Sequence, residues 1–193
     1  FLWADVAYVP KHHSTPRVLL KLSKYFGTKV FTTIEGNMCS SDMKSMIDSF
    51  GSKQNMISYF KLIPNIFGIT NFLIQESNCG VVLNPNPLYL GVEQSKFLNK
   101  RCRTRLKNIV FIGSLIKRKG LYELLYVARE LKYLNFHIIG DGFLKSELEK
   151  NATSNILFHG QKSRRELSKL LDDMDLHILL SRSEGFPKVI LET

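Results

Sequence analysis

Apolar and polar positions along this chain follow two periods, and the clearer record lies in its second half. Asn108-Ile109-Val110-Phe111-Ile112-Gly113 is a short apolar run closed by glycine, the pattern of a strand buried on both faces. Leu121, Leu124, Leu125, Ala128 and Leu131 then recur at spacings of three and four, which predicts one apolar helix face. Phe136-His137-Ile138-Ile139-Gly140 repeats the strand pattern, and Leu144 with Leu148 marks a shorter helix. A third strand is predicted at Ile156–Gly160. Ser163-Arg164-Arg165-Glu166 is a capping box opening a helix whose Leu167, Leu170, Leu171 and Met174 face inward. Leu176-His177-Ile178-Leu179-Leu180 is the fourth strand. Four strands alternating with three helices through short connections predict an α/β fold with a parallel sheet.

The first half is similar in outline. Asp5–Val9 and Val30–Ile34 read as strands flanking an amphipathic helix from about Pro16 to Phe26, with Pro16 suited to the first helical position. After Gly36 the periodicity blurs, most of all through residues 54–73, and Asn84-Pro85-Asn86-Pro87 reads as a turn or loop. The pattern breaks again near residues 97–107. On this reading the chain divides into residues 1–98, a linker at 99–107, and residues 108–193.

Charge adds a direction to this division. The 193 residues carry 27 Lys and Arg against 17 Asp and Glu, a net charge of +10. Residues 1–106 hold 13 basic and 6 acidic residues, and residues 107–193 hold 14 and 11, so +7 of the excess lies in the first part. The densest cluster is Lys100, Arg101, Arg103, Arg105 and Lys107. Such a balance favours phosphate-bearing partners: a nucleotide, an anionic bilayer surface or nucleic acid. Nucleic acid ranks last, because zinc-finger spacing, an RNP-like aromatic strand and a basic helix leading into heptads are all absent. The three cysteines, Cys39, Cys79 and Cys102, are scattered and form no C-x-x-C pair, which suits a reducing, cytoplasmic compartment. Met56–Leu73 is interrupted by Lys61, Pro64, Asn65 and Asn71 and does not read as a membrane span. The chain starts at Phe1 without methionine and stops just after an apolar run, so both ends are expected to be cut.

The segment with most chemistry is Ser181-Arg182-Ser183-Glu184-Gly185-Phe186-Pro187-Lys188-Val189-Ile190-Leu191-Glu192. A strand ends at Leu180, a polar loop follows, and a helix is predicted to start near Pro187. Ligands of open α/β sheets bind at the carboxyl ends of strands, where such loops lie. Gly185 allows close approach to the backbone. Glu184 and Glu192 are carboxylates able to accept hydrogen bonds from vicinal hydroxyls of a sugar or ribose.

Glu184-x7-Glu192, within S-x-x-E-G-F-P-x-x-x-L-E, resembles the signature of the retaining glycosyltransferases of family 4, which have the GT-B fold. Gly113-Ser114-Leu115-Ile116-Lys117-Arg118-Lys119-Gly120 is similar to that family's G-R/S-L-x-x-x-K-G segment. Gly140-Asp141-Gly142 is similar to its G-D-G turn, Gly160 to the glycine ending the next strand, and Asp175 to the aspartate opening the strand before the glutamate loop. Gly91-Val92-Glu93 with Phe97 resembles the segment closing its N-terminal domain. The likeness covers residues 84–192, and the first third only in outline.

The resemblance implies two Rossmann-like domains of GT-B type, both incomplete in this chain. It implies transfer of a sugar from a nucleoside diphosphate sugar to an acceptor hydroxyl with retention of configuration. The acceptor would be a glycan or lipid-linked precursor of cell-surface polysaccharide or glycolipid synthesis. The donor site implied comprises Gly113, Ser114, Lys119, Glu184, Gly185, Phe186 and Glu192, with Glu184 as the catalytic residue. Lys119 would bind the diphosphate, Glu184 the donor-sugar hydroxyls, the Gly185 and Phe186 amides phosphate or sugar oxygens, and Glu192 the ribose. No metal or cofactor is implied. The basic first part suits an acceptor domain resting on the inner, anionic face of a membrane, and these 193 residues alone are expected to show little or no turnover.

Two positions depart from the family pattern. Ser114 stands where many members carry a second phosphate-binding arginine, a role for which Arg118 is the candidate substitute. Glu35 stands where the family often has a histidine before glycine. Asp173-Met174-Asp175 imitates a manganese-binding D-x-D pair, but its place between a helix and a strand favours a structural role. Gly140-Asp141-Gly142 lacks the third glycine of a dinucleotide fingerprint. His12, His13, His137, His159 and His177 show no metal-ligand spacing. Two alternatives remain open at this point: a nucleotide-sugar epimerase on the same fold, and a catalytically inert binding or interaction module.

Overall fold

The computed structural model describes residues 4–10, 15–38, 42–76, 80–91 and 104–193, with the main chain alone at 42–45. The three cysteines, His12, His13, Val92, Glu93, Phe97, Lys100, Arg101 and Arg103 lie outside the described residues. The chain forms two compact units, Phe1–Leu90 with Glu184–Phe186, and Gly91–Ser183 with Pro187–Thr193.

The first unit is built on a three-stranded parallel sheet in the order β1 (Val6–Tyr8), β2 (Lys29–Ile34), β3 (Asn65–Gly68). β2 is central, pairing Val6–Tyr8 with Lys29–Phe31 on one side and Asn65–Gly68 with Phe31–Ile34 on the other. Its burial explains why Thr32 and Thr33 find partners: Thr32 Oγ1 donates to the Val9 carbonyl at 2.6 Å, and Thr33 Oγ1 lies 2.8 Å from the Tyr8 hydroxyl. The helix α1 (Arg17–Tyr25) buries Leu20 and Ser23. Pro16 is not its first helical residue, as expected from sequence, but its N-cap at φ −59°, ψ 136°. From there its carbonyl accepts the Leu19 and Leu20 amides.

Among its described residues, the blurred stretch after Gly36 contains four elements: α2 (Asp42–Phe50), α3 (Lys53–Phe60), β3 and α4 (Asn71–Glu76). Ser52 caps α3 by accepting the Asn55 amide at 3.1 Å. Met56, Tyr59 and Phe60 from α3 join Leu20, Val30, Ile34 and Ile66 in one core. The Asn-Pro-Asn-Pro segment is a loop, as expected, with an Asx turn in which Asn84 Oδ1 accepts the Asn86 amide. It also touches the sheet, because Asn84 forms a parallel bridge with Phe67.

The second unit contains a four-stranded parallel sheet in the order β6 (Ile156–Gly160), β5 (Asn135–Ile139), β4 (Asn108–Ile112), β7 (Leu176–His177). Alternation along the strands sorts the core onto two faces. Ile109, Phe111, Phe136 and Ile138 pack with Leu121, Leu124, Leu125 and Ala128 of α5 (Leu121–Glu130) and Leu148 of α6 (Lys145–Asn151). Val110 and Ile139 turn to the other face and meet Leu167 of α7 (Arg164–Leu171). The capping box forms: Ser163 Oγ accepts the Glu166 amide, and Glu166 accepts the Ser163 amide at 2.9 Å. The Ser163 hydroxyl, donating to the Glu166 carboxylate at 2.6 Å, and after it the Ser163 amide hold that carboxyl below the usual carboxylate range.

β7 is shorter than its sequence predicts. The ladder pairs Ile109 with Leu176 and Val110 with His177, and the Ile178 amide still donates to the Val110 carbonyl at 2.9 Å. Beyond that point the chain leaves the ladder and passes close to Gly120, whose missing side chain leaves room for the Leu180 carbonyl.

Candidate functional site

The carboxyl edge of the second sheet is lined by three glycines. The Gly113 amide donates to Ile139 O at 3.0 Å, and the Gly140 amide donates to Gly160 O at 2.9 Å, so each strand hands over to a glycine beside its neighbour. A side chain at Gly140 would strike the Gly113 carbonyl, and one at Gly142 would strike the Leu115 backbone. The Gly140-Asp141-Gly142 turn therefore lies backbone to backbone against residues 113–115. The Leu115 amide reaches Asp141 O at 2.9 Å, and the Asp141 carboxylate accepts the Gly142 amide at 2.8 Å. The requirement for glycine here is steric.

Ser114, next along this edge, is exposed. The chain then makes one 3₁₀ turn, Lys117–Lys119, closed by Gly120 in the left-handed region at φ 70°, ψ 32°. Lys119 is partly buried, and its Cε lies 3.8 Å from where a Gly113 Cβ would stand. Its aliphatic stem thus runs back along the glycine edge. Gly120 is also the N-cap of α5, whose first turn carries Glu123. A hydrogen bond to its own backbone amide and the Arg182 guanidinium hold the Glu123 carboxyl below its ordinary range. The Arg182–Glu123 ion pair measures 3.1 Å.

The last helix, α8 (Val189–Glu192), starts two residues after the proline at which the sequence suggested it, with Pro187 O accepting the Ile190 amide. Glu192 is its fourth residue and is partly buried. The structure thus brings Gly113 and Lys119 together, with Ser114 on the same edge. Glu192 belongs to the same unit, whereas Glu184, Gly185 and Phe186 group with the first unit. Glu35 follows β2 in the first unit and is exposed.

Two arrangements of polar residues were not foreseen from sequence. Asn155 Nδ2 faces three carbonyls, those of Ala128, Leu131 and Leu134, at 2.9–3.3 Å, satisfying the end of α5. An asparagine just before a strand was the available signal. His137 Nδ1 and His159 Nε2 lie 2.9 Å apart, in nearly parallel rings on neighbouring strands. With Arg105, Lys107, Asp173 and Asp175 they line a cleft beside α7. Burial pushes both histidines below their ordinary pKa, helped at His137 by His159 and opposed by Asp173, and at His159 helped by Lys162. Among the described residues, no group of three or more His, Cys, Asp or Glu is placed to hold a metal ion.

Residues 106–193 match the family model described as "Glycosyl transferases group 1". Over 87 residues the chain is 33% identical to an uncharacterised glycosyltransferase of Methanocaldococcus jannaschii, covering 43% of this chain and 24% of that protein. Over 139 residues it is 26% identical to the putative teichuronic acid biosynthesis glycosyltransferase TuaC of Bacillus subtilis, covering 66% of this chain and 35% of that one. The matches thus span about a quarter to a third of these relatives' length. Among solved structures, Anabaena HepE in complex with UDP and glucose superposes with a TM-score of 0.71 at 15% identity, over 97% of this chain and 56% of that one. The α/β architecture with parallel sheets is that of the GT-B fold, and residues 106–193 match the group 1 glycosyltransferase model.

Proposed function

We propose that this chain is part of a retaining glycosyltransferase of family 4 type that moves a sugar from a nucleoside diphosphate donor to an acceptor hydroxyl. The observation that carries the reading is Lys119 lying along the glycine edge at the carboxyl end of β4. The edge lies at the carboxyl end of the parallel sheet, where ligands of such folds bind, and a cation beside it suits the diphosphate. As the bond between the sugar's C1 and the β-phosphate oxygen breaks, negative charge grows on the leaving diphosphate and the Lys119 ammonium offsets it. The acceptor oxygen bonds C1 on the face the diphosphate leaves, and its hydroxyl proton passes to the departing β-phosphate oxygen. Glu184 holds hydroxyls of the donor sugar, the Gly185 and Phe186 amides hold phosphate or sugar oxygens, and Glu192 takes the ribose hydroxyls. HepE, crystallised with UDP and glucose, makes uridine diphosphate the first donor nucleotide to try.

No metal takes part in this reading. In its support, Asp175 Oδ2 is already engaged by two backbone amides, those of Lys107 and Asn108. The acceptor is a glycan or lipid-linked precursor in cell-wall or polysaccharide synthesis, a reading supported by the likeness to TuaC. The chain works on the cytoplasmic side, its basic first part against the inner membrane face. Supporting this, α1 exposes Val18, Leu22 and Tyr25 beside Arg17, Lys21 and Lys24. Among the described residues no helix is long and apolar enough to cross a membrane.

Titration calorimetry with UDP, GDP and random duplex DNA tests the reading. One of the two nucleotides is expected to bind, and DNA is not. Salt-sensitive DNA binding with no heat from either nucleotide would overturn it.

A further inference from the structure

Arg118 precedes Lys119 in the 3₁₀ turn, and the sequence made it a substitute phosphate ligand. The structure gives its side chain a partner within the second unit: Arg118 Nη1 donates to the carbonyl of Ser183. The main chain adds a return bond, since the Arg182 amide donates to Arg118 O at 2.9 Å. Arg182 in turn reaches Glu123 Oε1 at 3.1 Å, and Gly120 admits the Leu180 carbonyl where any Cβ would collide. Residues 118–123 and 180–183 are thus joined at four points just where β7 has left its ladder.

The Ser183 carbonyl is part of the peptide group that leads into Glu184. A peptide is planar, so fixing its oxygen fixes the plane from which the Glu184 backbone departs. A guanidinium is well suited to this, because a charged donor to a carbonyl is stronger than a neutral one and its planar fork has little freedom to lose.

We propose that Arg118 is a positioning residue that clamps the Ser183–Glu184 peptide against the turn carrying Lys119. The functional meaning of this clamp rests on the donor-site reading above, in which Lys119 and Glu184 both serve the nucleotide sugar. The role differs from phosphate binding in one measurable respect: it operates without ligand.

Hydrogen exchange of the ligand-free chain, read by mass spectrometry, separates the two. In Arg118→Ala the peptide spanning residues 180–185 is expected to exchange about tenfold faster, while peptides from β4, β5 and α5 keep their rates. UDP affinity is expected to fall about tenfold in parallel. Weakened UDP binding with unchanged exchange at 180–185 would assign Arg118 to the phosphate and overturn the proposal. Should Arg118→Ala lose protection throughout the second unit, Arg118→Lys decides. It keeps the charge without the fork, and faster exchange confined to 180–185 is expected, whereas unchanged exchange there overturns the proposal. Failure of the wild-type chain to bind UDP or GDP would count against the donor-site reading alone, since the exchange result is read without nucleotide.

Discussion

Asp175 Oδ2 accepts the amide of Asn108 at 2.8 Å, 67 positions back along the chain, and the amide of Lys107 at 2.9 Å. The carboxylate thereby ties the entrance of β7 to the entrance of the central strand β4. Asp175→Ala leaves both amides to solvent and is expected to cost about 1–3 kcal/mol, because hydrogen bonds to a charged group are the stronger kind. Urea denaturation of the two proteins checks this, and an unchanged midpoint would remove the anchor from the account.

Gly120 combines a left-handed backbone at φ 70° with a close approach to Leu180 O. Gly120→Ala meets both obstacles at once, an unfavourable conformation and a collision. A loss of about 2–4 kcal/mol is expected in the same denaturation assay. Ser114→Ala, on an exposed position nearby, should stay within about 0.5 kcal/mol of wild type.

The His137–His159 pair predicts an acid sensitivity. Burial holds both folded-state pKa values, and that of His177, below the ordinary histidine value. The unfolded chain therefore binds protons first as pH falls. The stability tied to these rings is fully present above about pH 6.5 and is lost as pH drops through that value toward the depressed folded ones. Thermal melts at pH 7.5 and 5.5 should show a drop that His137→Gln with His159→Gln makes smaller. An equal drop in the double variant would contradict the assignment.

The exposed apolar strip of α1, flanked by Arg17, Lys21 and Lys24, predicts binding to anionic vesicles. Co-sedimentation with phosphatidylglycerol vesicles is expected, and little with phosphatidylcholine. Lys21→Glu with Lys24→Glu should weaken it by about thirtyfold or more, each basic residue near such a surface being worth about 1 kcal/mol. Equal sedimentation by wild type and variant would sink the idea.

The second sheet was legible because its strands are buried on both faces and its helices on one, so period and length agree. Ser163 and Glu166 announce α7, and the structure forms the capping box they spell. The shortening of β7 was not legible, because Leu179 and Leu180 are apolar enough for a strand, while their path away from the ladder runs against Gly120, some sixty residues away. Elements between Gly36 and Glu76 are short, and β3 has four residues, too few to display a period. The glycine edge could be read as a motif, but its steric reason needed the carbonyls of Gly113 and Leu115 in place. The Arg118 contact with Ser183 was hidden for a similar reason: a carbonyl acceptor has no residue type.

The central claim is that Lys119 at the β4 edge meets a nucleoside diphosphate, and the dissociation constant of UDP or GDP for Lys119→Ala against wild type tests it most directly. A loss of at least about tenfold is expected with an unchanged melting temperature, the scale of one charge-assisted contact. Equal affinity in the two proteins would contradict the account.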